Sequence, residues 1–210
     1  MEQNLYKLTK QHKILNIKLS KFMKNLKQII QLFCFLGILT YSNVMANEEA
    51  NYTIVIKNDM YEIRKYSDRL AVETMTSGID SNFRKLFNYI SGRNDTEEKI
   101  KMTTPVTQIE KNGNMSMQFY LPSKFNSDNV PNPSREDVKI IIIEGGYYAV
   151  LRYSGRASDG NFLKHKKILE NELQKNKISI ISPPIRATYD SPFTLPMNRR
   201  NEAMFKVEMN

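Results

Sequence analysis

Residues 71–83 read AVETMTSGIDSNF, and residues 149–162 read AVLRYSGRASDGNF. Each stretch is an alternating strand that runs into Ser-Gly and then, through a polar link, into Asn-Phe. The residues after each Asn-Phe are helical in pattern. A period of two, a glycine break and a switch to a period near 3.6 describe one strand–helix unit given twice.

Working outward, Phe83, Leu86, Phe87 and Ile90 fall at i, i+3, i+4 and i+7, giving the first helix one apolar face, with Gly92 as its stop signal. In the second helix Phe162, Leu169 and Leu173 mark a similar stripe, while the lysines and glutamates between them point to water. Extended segments come after each helix. Met115, Met117, Phe119 and Leu121 alternate strictly, as do Ala203, Phe205, Val207 and Met209, so each set lines one face of a sheet. The repeats span about 52–122 and 137–209, joined by PSKFNSDNVPNPSRED, a Pro-, Asn- and Ser-rich stretch expected as an exposed link. The pattern predicts an α+β fold: a duplicated strand-helix-strand unit forming a distorted antiparallel β-barrel flanked by two helices. One domain over 47–210 is expected, because neither half alone offers enough apolar surface for a core.

The first 46 residues read as an address. Lys18, Lys21, Lys24 and Lys27 lead into the apolar run IIQLFCFLGILT, and Val44 and Ala46 stand as the small residues before a cleavage site. A secretory signal peptide cut after Ala46 is expected, with Met23 as an alternative start and an uncleaved anchor as the rival. The run is short for a membrane span, so no stable span is expected after cleavage.

Removing the leader changes the charge argument. The whole chain carries +9, but the leader holds seven Lys against one acid, leaving 24 basic and 21 acidic residues in 47–210, about +3 net. That gives no reason to expect nucleic acid as a partner. The single cysteine, Cys34, lies in the leader, so disulfides, thiolate metal sites and covalent haem attachment are excluded from 47–210. Export without disulfides suits a periplasmic location.

Chemistry-bearing residues are few. His165 is the sole histidine of 47–210 and hence the one imidazole candidate for a metal ligand or general base, although its place beside an apolar stripe also fits a half-buried helix histidine. No Gly-x-Ser-x-Gly elbow and no glycine-rich phosphate loop occurs. Met102, Met115, Met117 and Met197 supply flexible thioethers that suit a flat apolar ligand or a core. Tyr147 and Tyr148, after Gly145-Gly146, point to opposite faces, and either is a phenolate candidate for iron.

YEIRKYSDRLAVET (61–74), LFNYISGRND (86–95), KIKMTTPV (99–106), MQFYLP (117–122) and SPFTLPMNRRNEAMF (191–205) together resemble the SOUL family of haem-binding proteins, in order and over nearly all of 52–207. The combination of KIKMTTPV with RRNE is the specific part. The resemblance implies a duplicated barrel with two flanking helices, a fold also similar to the effector-binding modules of bacterial multidrug-sensing regulators. It implies a non-covalent carrier, buffer or scavenger of haem or an iron-free porphyrin, held in an apolar groove without a shared histidine ligand.

Carried onto this chain, the groove is implied at Phe83, Phe87 and Ile90 of the first helix and at Phe193, Leu195 and Met197 of the loop before Arg199-Arg200-Asn201-Glu202. Phe193 stands where relatives often have tryptophan. Asn88 and Thr194 stand where basic residues are expected near the propionates, leaving Lys85 or Arg93 as substitutes. The Arg-Arg-Asn-Glu run itself reads as a clamp tying the loop to strand ends, with Glu62, Glu73 or Glu202 as partners. Two other functions stay open: a small-molecule hydrolase or isomerase using Glu73 with Tyr148 or Tyr153, and a protein-interaction module docking through Lys164, Lys166 and Lys167.

Overall fold

A computed structural model of the chain describes residues 23–28, 47–76, 79–111 and 113–209. The leader lies outside the described residues except for 23–28, which are helical. Among the described residues no helix is long and apolar enough to cross a membrane.

The described residues from 47 onward carry twelve strands and two α-helices. The strands are β1 (Glu48–Glu49), β2 (Tyr52–Lys57), β3 (Glu62–Tyr66), β4 (Arg69–Thr76), β5 (Thr103–Thr104), β6 (Val106–Lys111), β7 (Asn114–Tyr120), β8 (Val138–Ile143), β9 (Gly146–Tyr153), β10 (Ser179–Ile180), β11 (Ile185–Thr188) and β12 (Asn201–Glu208). Helix α1 (Ile79–Ile90) comes after β4, and α2 (Asp159–Lys175) after β9. The main sheet runs β2-β3-β9-β12-β11-β6-β7-β4-β8, with β10 added to β12, and all its ladders are antiparallel. Among the described residues no ladder joins β2 to β8, so the sheet is a curled half-barrel. β1 and β5 make a separate parallel pair.

The duplication is visible in the strand order. Matching β3 with β8, β4 with β9, β7 with β12 and β6 with β11, the order β3-β9-β12-β11 is repeated backwards as β6-β7-β4-β8. Ala71 stands between Tyr120 and Ile141, as Ala149 stands between Phe205 and Ile63. The outer strands are exchanged: β3 pairs with β9 of the second repeat, and β8 with β4 of the first. The two halves meet at the β6–β11 seam, where Gln108 faces Arg186 and Thr107 faces Ala187.

Both helices lie on one face of this sheet. α1 packs on β4 and β7 and buries Leu86, Tyr89 and Ile90 against Val72, Met117 and Phe119. α2 packs on β9 and β12 and buries Phe162, Leu169 and Leu173 against Leu151, Ala203 and Phe205. Each such Leu or Ile is worth roughly 1.5–3 kcal/mol of apolar burial. On the opposite face Tyr66, Tyr148, Val150, Ile185, Ala187 and Met204 form a third cluster.

The buried side of α1 is rotated from the one its apolar pattern predicts. Asn82, Leu86, Tyr89 and Ile90 face inward, whereas Phe83 and Phe87 flank the helix and are exposed. Polar anchoring causes the shift: Asn82 Nδ2 donates to Met115 O at 2.9 Å, and Tyr89 Oη donates to Pro131 O at 2.7 Å. The same tyrosine fastens the 123–136 link, which is less free than its composition suggests, for Phe125 is buried and Asn132 makes two hydrogen bonds to the Asp95 carboxylate.

Local signals fix the helix ends. Gly92 has φ +106 and its amide donates to Tyr89 O, a left-handed stop that favours glycine. Ser158 caps α2 by accepting from Asn161 N. Gly155, of the second Ser-Gly, has φ +102, and a Cβ there would meet Asn161 Nδ2 at 2.8 Å.

Candidate ligand cleft

With one helix seated over β4 and β7 and the other over β9 and β12, the seam between β6 and β11 is left as the floor of a cleft of about 610 Å³. Val106 and Gln108 rise from β6, Met117 from β7, and Arg186 and Thr188 from β11. Phe83 and Asp80 of α1 form one wall, with Met102 and Thr104 below them, and Tyr189, Asp190, Ser191 and Pro192 form the other. Phe83, Met102, Val106 and Pro192 make the surface mainly apolar, with Met117 buried beneath them. Its size is ordinary for a small-molecule or cofactor pocket, roughly 300–1,000 Å³.

The wall at Tyr189 is rigid because of the Arg-Arg-Asn-Glu run. Tyr189 Oη donates to Glu202 Oε2 at 2.7 Å, and the Arg200 guanidinium carbon lies 3.6 Å from the Tyr189 ring centre. Glu202 also accepts from Arg200 Nε at 3.0 Å and from Arg64 Nη1 and Nη2 at 3.0 and 3.2 Å. Arg200 makes a bidentate pair with Glu49, at 2.9 and 2.8 Å. Arg199 donates from Nε to Thr194 O at 2.8 Å and from Nη2 to Pro192 O. Asn201 Nδ2 reaches Gly155 O at 3.1 Å, while the Gly155 amide holds Pro196 O at 2.8 Å. Of the three glutamates expected as partners of the arginine pair, Glu202 fills that place. Glu62 instead takes Arg64, and Glu49 is the partner the sequence reading missed.

Electrostatics keeps Arg64 of this network charged and the Tyr189 phenol neutral. Burial opposes the charge on Arg64, but the Glu202 carboxylate beside it more than offsets that and holds the guanidinium above its ordinary range. Burial, with the Glu202 charge adding to it, pushes the Tyr189 phenol far up, so it stands as a hydrogen-bond donor rather than a phenolate.

The profile of the SOUL heme-binding protein family matches residues 47–206. The chain belongs to the SOUL family. Among its curated relatives, heme-binding protein 2 of Mus musculus is 32% identical over 156 residues, covering 68% of this chain and 75% of the relative. The Homo sapiens protein of the same name is 33% identical over the same shares. Among solved structures, the C-terminal domain of EcmrR superposes with a TM-score of 0.54 at 12% identity, covering 75% of this chain and 98% of that one. At that identity the likeness is one of fold.

The residues singled out in this SOUL chain are not all in the cleft. Phe83 lines it, and Phe87 stacks on Phe83 with ring centres 6.1 Å apart, just outside the lining. Ile90 faces the other way: it is 6% exposed and belongs to the core under α1, so it has no surface to offer a ligand in that groove. Phe193 is 95% exposed, and Leu195 and Met197 also project into water from the 191–199 loop, beside the Pro192 wall rather than on it. Lys85 is held by Asp137 at 2.8 Å, and neither it nor Arg93 lines the cleft.

His165 sits on α2 stacked against Tyr153, ring centres 4.1 Å apart, with Nδ1 bonded to Asn161 O at 2.7 Å, and is not in the lining. Tyr148 is on the opposite face, donating to Glu144 O, and burial raises its phenol. Glu73 is likewise on that opposite face, where it accepts from Ser116 Oγ at 2.5 Å and Gln118 Nε2 at 2.8 Å. Among the described residues no cluster of three or more His, Cys, Asp and Glu is arranged to hold a metal ion. Lys166 and Lys167 of α2 both approach Glu170, at 3.7 and 3.6 Å, as on a solvated helix face.

Sequence reasoning missed Arg186, Val106, Thr188, Tyr189 and Pro192. The signal lay in the alternation of Arg186 with Thr188 and of Val106 with Gln108, but it acquires meaning only when β6 and β11 are known to be neighbours.

Proposed function

We propose that the cleft over the β6–β11 seam binds a flat tetrapyrrole, haem or an iron-free porphyrin, and that the protein acts as a non-covalent carrier or scavenger rather than as a catalyst. The observation that carries this reading is a mainly apolar cleft in a SOUL chain, walled by the first helix and the loop before Arg199-Arg200-Asn201-Glu202. Phe83, Met102, Val106 and Pro192 would meet the ring faces. Bound haem would supply iron chemistry, and the residues of the cleft are suited to hold the ring by its faces, since Tyr189 spends its hydroxyl on Glu202 and His165 lies elsewhere. Covering roughly 300 Å² of apolar surface at about 25 cal/mol per Å² gains about 7 kcal/mol before association costs. That corresponds to an affinity in the micromolar range or weaker.

The proposal includes export, supported by the lysines, apolar run and small residues of the first 46 positions. Protein recovered from an expressing cell's envelope fraction is expected to begin at Asn47. Binding is tested by methyl NMR: on adding protoporphyrin, the Met102 and Met117 methyl signals shift, and those of Met60 and Met209, outside the cleft, do not. Shifts confined to residues outside the cleft would refute it.

A further inference from the structure

Arg186 is 8% exposed and is the one Lys or Arg among the described lining residues. It stands on the floor, between Gln108 of β6 and Ala203 of β12. Its charge is balanced from the edge of the cleft: Nη2 donates to Asp159 Oδ1 at 2.6 Å, and that side chain is 77% exposed. Nη1 reaches Gln108 Oε1 only at 3.4 Å, and the guanidinium carbon lies 4.7 Å from the Phe162 ring centre. A guanidinium has five N–H donors. Two are engaged here, one of them at the limit of a hydrogen bond.

Such a pair is set up for exchange. Asp159 opens α2, so on leaving Arg186 its carboxylate keeps both water and the favourable helix N-terminus. Arg186 has no comparable refuge, because its buried charge needs an anion beside it. A carboxylate entering the cleft can therefore take Asp159's place, and the planar fork fits it bidentately. The two acids among the described lining residues are already accommodated. Asp190 Oδ2 accepts the Arg200 amide at 2.5 Å, and Asp80 lies in the first turn of α1.

We infer that Arg186 is the anchor for an acid group on the ligand, so that the cleft selects flat apolar carboxylic acids, with Asp159 as the carboxylate they displace. This rests on the tetrapyrrole reading for the ring but not for the acid.

The test is a fluorescence titration of the purified protein with protoporphyrin, its dimethyl ester and 8-anilinonaphthalene-1-sulfonate, an aromatic anion that is no tetrapyrrole. The acid is expected to bind about tenfold more tightly than the ester, the scale of one charge-assisted hydrogen bond. Arg186→Gln removes that difference, and its residual binding of the ester reports an intact cleft. Asp159→Asn tightens binding of the acid severalfold and not of the ester. An acid-to-ester ratio unaltered by Arg186→Gln overturns the anchor while the tetrapyrrole reading stands. Failure of both porphyrins, with sulfonate binding that Arg186→Gln abolishes, overturns the tetrapyrrole reading while the anchor stands. Binding of none of the three overturns both. Should Arg186→Gln fail to fold, Asp159→Asn decides alone, and unchanged acid affinity in it counts against the anchor.

Discussion

Tyr189 Oη donates to Glu202 Oε2 across 2.7 Å, joining a wall of the cleft to a carboxylate with 0% exposure. Through Glu202 the same wall is tied to Arg64 and Arg200, and through Arg200 to Glu49 near the start of the described domain. Cleft geometry and fold stability therefore share one polar network. Its members are compensated in pairs, which makes removal of a single one costly.

Glu202→Gln is expected to lower stability by about 3 kcal/mol or more, because it leaves two guanidinium groups facing a neutral amide. For a domain of this size that is a fall of about 6–12 °C in Tm, read by circular dichroism. A melting curve that coincides with the wild type would remove the network from the account.

Arg200→Ala is expected to lower Tm more than it weakens porphyrin binding. The side chain's partners are Glu49, Glu202 and the face of Tyr189, and it does not itself line the cleft. Unchanged melting together with lost binding would make Arg200 a ligand contact instead.

Phe83 and Ile90, on one helix and in one apolar pattern, should separate in their effects. Phe83→Ala is expected to weaken porphyrin binding severalfold with a small change in Tm, since the ring is partly exposed on the cleft wall. Ile90→Ala is expected to cost about 2–5 kcal/mol as a core truncation while leaving the affinity of the folded protein nearly unchanged. Equal loss of binding in both would place the ligand elsewhere.

How much of the molecule is legible in its sequence differs from feature to feature. The repeat beginning at Ala71 and Ala149 carries the fold, because periodicity and Ser-Gly exits are local. The rotation of α1 is not legible: it depends on Asn82 finding the Met115 carbonyl and Tyr89 finding Pro131, two partners remote in sequence. The family resemblance points to the helix and loop that wall the cleft, yet the residues it implies include a core isoleucine and three exposed loop side chains. Arg186 is invisible because the pairing of β6 of one half with β11 of the other is long-range, and no local pattern announces that seam.

Tyrosine ionisation gives a pH test. Burial pushes Tyr66, Tyr89 and Tyr153 up to about 12 from an ordinary 10.0. The folded state thus favours the neutral phenols. Their contribution is complete below pH 10 and is lost as pH rises through about 12. Absorbance at 295 nm should reveal a class of tyrosines still protonated at about pH 11, ionising together with the loss of far-ultraviolet structure. A single transition near pH 10 without unfolding would contradict the burial of these rings.

The most direct measurement is a parallel titration of the purified protein with haemin and protoporphyrin, following the Soret band, in wild type, Phe83→Ala and His165→Ala. The account predicts saturable one-to-one binding of both rings, weakened by Phe83→Ala and indifferent to His165→Ala. Haemin binding without protoporphyrin binding, abolished by His165→Ala, would contradict it and make the histidine on α2 the iron ligand.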